Sequence, residues 1–130
     1  MESWRKVWRE GLAPLLSTAG LEALQRALNE DDPRLQQGAT TTPPPLACVQ
    51  DWPVEAACAI GYCGWQGDGL ETVGEVEEFF ARMCFACDQR LGEPAGCHWL
   101  LNWLDGTPRE EMRAKMLAEV NRSLALRREV

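Results

Sequence analysis

Apolar positions recur with a helical period along most of this chain. Trp4, Val7, Trp8, Gly11, Leu12, Leu15 and Leu16 follow a spacing of about 3.6 residues, the mark of one buried helix face. Pro14 is expected to end or kink that helix. Ser17 or Thr18 then caps a second helix with Leu21, Leu24 and Leu28 along one side, and Asp31-Asp32-Pro33 stops it. Asp51-Trp52-Pro53 has the form of a third start, an acidic cap with proline in the first turn, and leads into residues 54–63. Thr72 and Glu75 stand in capping-box register ahead of Val76, Phe79, Phe80, Met83, Cys84, Cys87 and Leu91, and Gly92-Glu93-Pro94 closes this fourth helix. Cys97, Leu100, Leu101 and Leu104 mark a short fifth helix closed by Asp105-Gly106. Thr107-Pro108-Arg109-Glu110 combines a capping threonine, proline at the first helical position and an acid in the first turn. Met112, Met116, Leu117, Val120 and Leu124 then give the buried side, with Arg127 and Arg128 at the end where cations complement the helix dipole.

Two segments interrupt the coils. One runs from Asp31 to about residue 50 and includes Pro43-Pro44-Pro45, which favours extended backbone without donors. The other is Gly64-Trp65-Gln66-Gly67-Asp68-Gly69, which reads as a flexible loop with no strand before it. No convincing run of alternating β-branched residues occurs. The expected fold is all-α: a compact bundle of five to six short helices with an extended Pro-rich crossover, forming a single helical domain over residues 1–130.

Composition narrows the function classes. Apolar residues make up 45% and charged residues 25% of the 130, which are globular proportions and not those of a disordered chain. No uncharged apolar stretch of about 18 residues is present, so no membrane span is expected. The N-terminus lacks the apolar run of roughly 7–15 residues that a secretory signal needs, so a cytoplasmic location with reduced thiols is expected. The net charge of −7 argues against direct nucleic-acid binding through phosphate neutralisation. The excess is localised. Residues 31–70 hold five acids and one base, and residues 71–92 hold five acids and two bases, while the flanking regions balance. This acidic middle, with Glu75 and Glu78 at the start of the fourth helix, would orient a basic partner surface.

Six cysteines and one histidine are the chemical candidates. Cys84-Phe85-Ala86-Cys87 followed by Cys97-His98 supplies four zinc-type ligands, and Cys58 and Cys63 offer further sulfur. Against a metal, Cys84 and Cys87 fall within a helical apolar stripe, and no glycine turn separates them. Buried free cysteine packs as a small apolar residue. The first expectation is therefore no cofactor, with zinc at Cys84, Cys87, Cys97 and His98 as the alternative. A thiol nucleophile at Cys63 would need His98 as base and Asn102 to orient it. The sequence around Cys63 lacks the glycine–serine–cysteine pattern of papain-type hydrolases, and no phosphate-binding glycine loop or helical zinc-protease motif occurs. The chain reads as a non-enzyme.

Six tryptophans are more than so small a bundle can easily bury, since each brings a large ring and an N–H that needs a partner. Trp99 and Trp103, one turn apart on a helix that is apolar nearly all round, are the leading contact residues, followed by Trp65. The function expected from these features is a protein–protein interaction module: an adaptor, a regulator or a subunit of a larger assembly. Its partner would be another protein or a second copy of itself. On this reading Trp103→Ala weakens the complex and leaves the helical signal intact. The alternatives are a zinc-stabilised helical domain and an acidic inhibitor seated in a basic nucleic-acid groove of a target protein.

Overall fold

The N-terminal segment coils as its apolar spacing dictates, but with changing pitch. In the computed structural model, which describes residues 1–41 and 50–128, α1 (Ser3–Lys6) runs on into a π-helical stretch (Val7–Leu12) and a 3-10 turn (Ala13–Leu15). Val7, Trp8, Gly11 and Leu12 of the π-helical stretch are all buried. Pro14 sits in the 3-10 turn, and the chain leaves it extended at Leu16. Gly11 leaves room for the helix that carries Cys87: a β-carbon there would lie 2.6 Å from Cys87 Sγ.

Helix α2 (Thr18–Glu30) is capped by Ser17, whose Oγ accepts from the Gly20 N–H at 2.9 Å, and it ends at Asp31 in a left-handed conformation. Leu21, Leu24 and Leu28 are buried as their spacing predicts. Its last carbonyls, and those of the turn beyond, are taken by arginines of the C-terminal helix. Arg113 donates to Leu28 O at 2.9 Å, while Arg109 donates to Asp32 O, Leu35 O and the Asp31 carboxylate.

The start expected at Asp51-Trp52-Pro53 does not begin a helix. Backbone partners distant in sequence hold this stretch instead. Val54 N–H donates to Glu71 O, Val73 N–H to Trp52 O, Ala57 N–H to Arg34 O, and Cys58 N–H to Thr40 O. Proline at residue 53 suits this irregular pairing, because it forms an isolated bridge with Thr72. Helix α3 (Ala59–Tyr62) starts only after Cys58 and passes directly into a second π-helical stretch (Cys63–Gly67). The loop expected at residues 64–69 is thus helical through Gly67. The crossover's Pro43–Pro45, with Cys48, lies outside the described residues.

Helix α4 (Val73–Leu91) carries the expected capping box between Thr72 and Glu75 and stops at Gly92, whose φ of 68° suits glycine. Helix α5 (His98–Gly106) and helix α6 (Arg109–Arg128) follow. The six α-helices build an all-helical bundle. Among the described residues no β-strand forms, and no helix is long and apolar enough to cross a membrane.

One ion pair inside this bundle was not apparent from the periodicity. Glu119, only 4% exposed, accepts two hydrogen bonds from Arg9 at 2.7 and 2.9 Å, joining α6 to the N-terminal coil. The Arg9 bond holds its carboxyl below the usual carboxylate range, and Arg34 does the same for Asp32 more strongly. Depressed carboxyl groups stabilise the fold above their unfolded pKa of about 4, and that contribution is lost as pH falls through the lower folded value. The thermal midpoint should therefore be flat from neutrality to about pH 5 and fall below about pH 4. Glu119→Gln should lower the neutral midpoint and shallow the acid decline. An acid profile identical in the variant would remove Glu119 from the account.

Candidate interaction surface

The tryptophans divide into three pairs. Trp4 and Trp8 are buried. Trp65 and Trp103 are half-buried, and Trp52 and Trp99 are 43% and 48% exposed. Each environment follows from local geometry. Trp103 stacks on Trp4 with ring centroids 3.7 Å apart and planes 5° from parallel, and this contact locks α5 to α1. Trp4 in turn donates its indole N–H to Glu2 at 2.8 Å and lies under the Arg5 guanidinium. Trp65 meets Tyr62 edge-on, and the Arg34 guanidinium sits 5.5 Å from its ring centroid. Arg34 also grips Asp32, which accepts the Tyr62 hydroxyl at 2.9 Å. That network pushes Tyr62 up to about 12, chiefly by burial and secondly by the Asp32 bond.

Helix α5 is less uniformly buried than its sequence implies. Leu100 and Leu104 face inward, while His98, Trp99, Asn102 and Asp105 are exposed. It is a peripheral helix with one apolar residue, Trp99, presented outward. Phe85 of α4 is 67% exposed. The two aromatics belong to elements tied at their junction, where Asp88 of α4 accepts the Cys97 N–H at 2.8 Å. Phe85 escapes the periodic pattern because it lies one step off the Cys84/Cys87 stripe. An aromatic so placed, with no matching residue three or four positions away on its own face, is the signal that marks it.

Glu75 and Glu78 occupy separate roles. Glu75 is the capping carboxylate, held below its usual range by the Glu71 and Thr72 backbone N–H groups. Glu78 is exposed without such a partner, and Glu71, Glu75 and Glu78 follow one another along one exposed face. They lie at the opposite end of α4 from Asp88. Glu75 and Asp88 are 13 positions apart, about 20 Å of helix. Phe85 stands seven positions after Glu78, two turns further along the same side of α4 and about 10 Å away, so the acidic face runs toward it.

The thiols are set into the core. Cys58, Cys63, Cys87 and Cys97 are buried, and Cys84 is partly so. Burial pushes Cys58 up to about 11 and Cys87 up to about 12, and it raises Cys63, Cys84 and Cys97 as well. Cys63 donates its S–H to Ala59 O at 3.3 Å, and its side chain abuts Gly20 of α2. His98 and Asn102 are on the exposed side of α5, so no hydrogen bond assembles them with Cys63. Cys84 and Cys97 do come together from α4 and the start of α5, but His98 points to solvent. Among the described residues no group of three or more His, Cys, Asp or Glu is arranged to hold a metal ion.

No known protein family, curated protein or solved structure matches this chain.

Proposed function

We propose that the chain is a small cytoplasmic, non-enzymatic protein-interaction module whose contact surface centres on Trp99 of α5, with Phe85 of α4 beside the junction. The exposure of Trp99 carries this reading. Four of the six indoles find cover, yet Trp99 is held outward on a helix pinned at both ends, by the Asp88–Cys97 bond and by Gln37, which donates to Leu104 O and Thr107 O at 2.7 and 2.8 Å. A rigidly presented tryptophan loses little freedom on binding and buries a large ring, which is why such residues anchor interfaces. The face formed by Glu71, Glu75 and Glu78 supports steering toward a basic partner, so association should slow as salt is added.

The two α5 tryptophans separate interface from core. Trp99→Ala should weaken the partner complex by about 2 kcal/mol, roughly thirtyfold, with an unchanged thermal midpoint. Trp103→Ala breaks the stack on Trp4 and should cost about 2 kcal/mol of fold stability instead. Comparative affinity capture from the source cells, read by mass spectrometry beside thermal melts, checks both. Partners retained equally by wild type and Trp99→Ala would overturn the assignment.

A further inference from the structure

Where the 3-10 turn meets the end of α6, a groove of about 380 Å³ has the exposed Pro14 and Leu126 as its apolar walls, the buried Ala13 and Leu16 beneath them, and Arg9, Arg122 and Arg127 as its charged ones. Leu126 is 47% exposed and falls off the Met112, Met116, Val120, Leu124 stripe, so no helix of the bundle claims it. The three cations differ in how far they are used. Arg9 is matched by Glu119. Arg127 donates to Ala13 O at 2.8 Å and to Leu16 O and Thr18 Oγ1, all neutral acceptors, so its charge is retained. Arg122 is exposed and acts on Glu119 only through its charge. The groove is therefore cationic by two charges, in a protein whose net charge is −7.

We propose that this groove binds an aliphatic carboxylate: an acyl chain laid over the exposed Pro14 and Leu126, with its head group paired to Arg122 beside the charge of Arg127. The volume falls within the roughly 300–1,000 Å³ of small-molecule sites, whose usual make-up is apolar walls with a few converging polar groups. Charge complementarity fixes the sign of the ligand. An ammonium head would face Arg122 and Arg127, whereas a carboxylate can take a guanidinium fork.

The test is calorimetric titration of the full chain with decanoate, kept below its aggregation concentration, beside decylammonium and acetate. The protein's overall charge alone favours the cation, so the groove and the bulk charge predict opposite orders. Saturable one-to-one binding of decanoate, with decylammonium and acetate at least about tenfold weaker, is the expected result. Arg122→Glu and Leu126→Ser alter exposed side chains, so both variants should stay folded, with Arg122→Glu lowering the melting midpoint modestly through its charge on Glu119. Each should weaken decanoate by about tenfold or more. Equal binding of the two amphiphiles, or decanoate binding unchanged in both variants, would overturn the site.

Discussion

Replacing Gly67 with alanine is expected to cost about 3 kcal/mol or more of stability, the upper end for overpacking. The reason is backbone meeting backbone. A β-carbon at Gly67 would lie 2.3 Å from Gly20 Cα and 2.5 Å from Gly20 N, so no side chain can swing aside to make room. Gly20 is itself confined, since its own β-carbon would sit 3.0 Å from Cys63 Cβ. The crossing of α2 with the second π-helical stretch thus depends on two glycines facing each other. Gly69 provides the control. Its φ is +83° and nothing lies within 4 Å, so Gly69→Ala meets only the left-handed backbone penalty of about 1 kcal/mol. Urea unfolding of both variants measures the difference. A Gly67→Ala midpoint equal to that of Gly69→Ala would mean that the close crossing does not exist in solution.

This crossing also shows where sequence reasoning stops. A glycine-rich run with Asp68 and Gly69 at its end has the composition of a loop, and composition is blind to a helix whose glycines exist to let another helix approach. Local signals behaved differently. Thr72 with Glu75, Ser17 ahead of α2, and Gly92 after α4 mark helix ends through bonds made within a few residues, and all three were legible. Asp51-Trp52-Pro53 carries the same kind of local signal and misleads, because Glu71, Trp52, Arg34 and Thr40 supply carbonyls to backbone N–H groups far from them in sequence. Helical periodicity likewise cannot distinguish a π turn from an α turn over six residues, since Val7, Trp8, Gly11 and Leu12 are inward in either. For the contact surface, the pattern correctly marked α5 as rich in tryptophan. It could not tell Trp99 from Trp103, because that distinction is made by Trp4, a residue of another helix. The cationic groove was invisible for a similar reason: its arginines come from opposite ends of the chain, and each end is electrically balanced in sequence.

Trp8→Ala is expected to remove about 4 kcal/mol, a large share of the 5–15 kcal/mol typical of a whole domain. Trp8 is fully buried near the start of the π-helical stretch, and its loss leaves a cavity where the N-terminal coil and α6 meet. The ring also begins a chain of polar contacts that crosses between these elements. Its N–H donates to Ser123 Oγ at 3.1 Å, and Ser123 donates to Glu119 O at 3.0 Å. The Glu119 carboxylate receives Arg9, the residue next to Trp8. Two consecutive residues therefore reach the same turn of α6, one through an indole and one through a guanidinium. Ser123→Ala separates the polar contribution from the packing. It leaves the buried indole N–H without an acceptor and should cost about 1–2 kcal/mol, less than half the effect of Trp8→Ala. The ordering is the point of the measurement. If Ser123→Ala were neutral, packing alone would hold the coil to α6; if it matched Trp8→Ala, the hydrogen-bonded chain would outweigh the ring. The intermediate value follows from both acting together, and chemical denaturation of the two variants and their double mutant resolves the coupling between them.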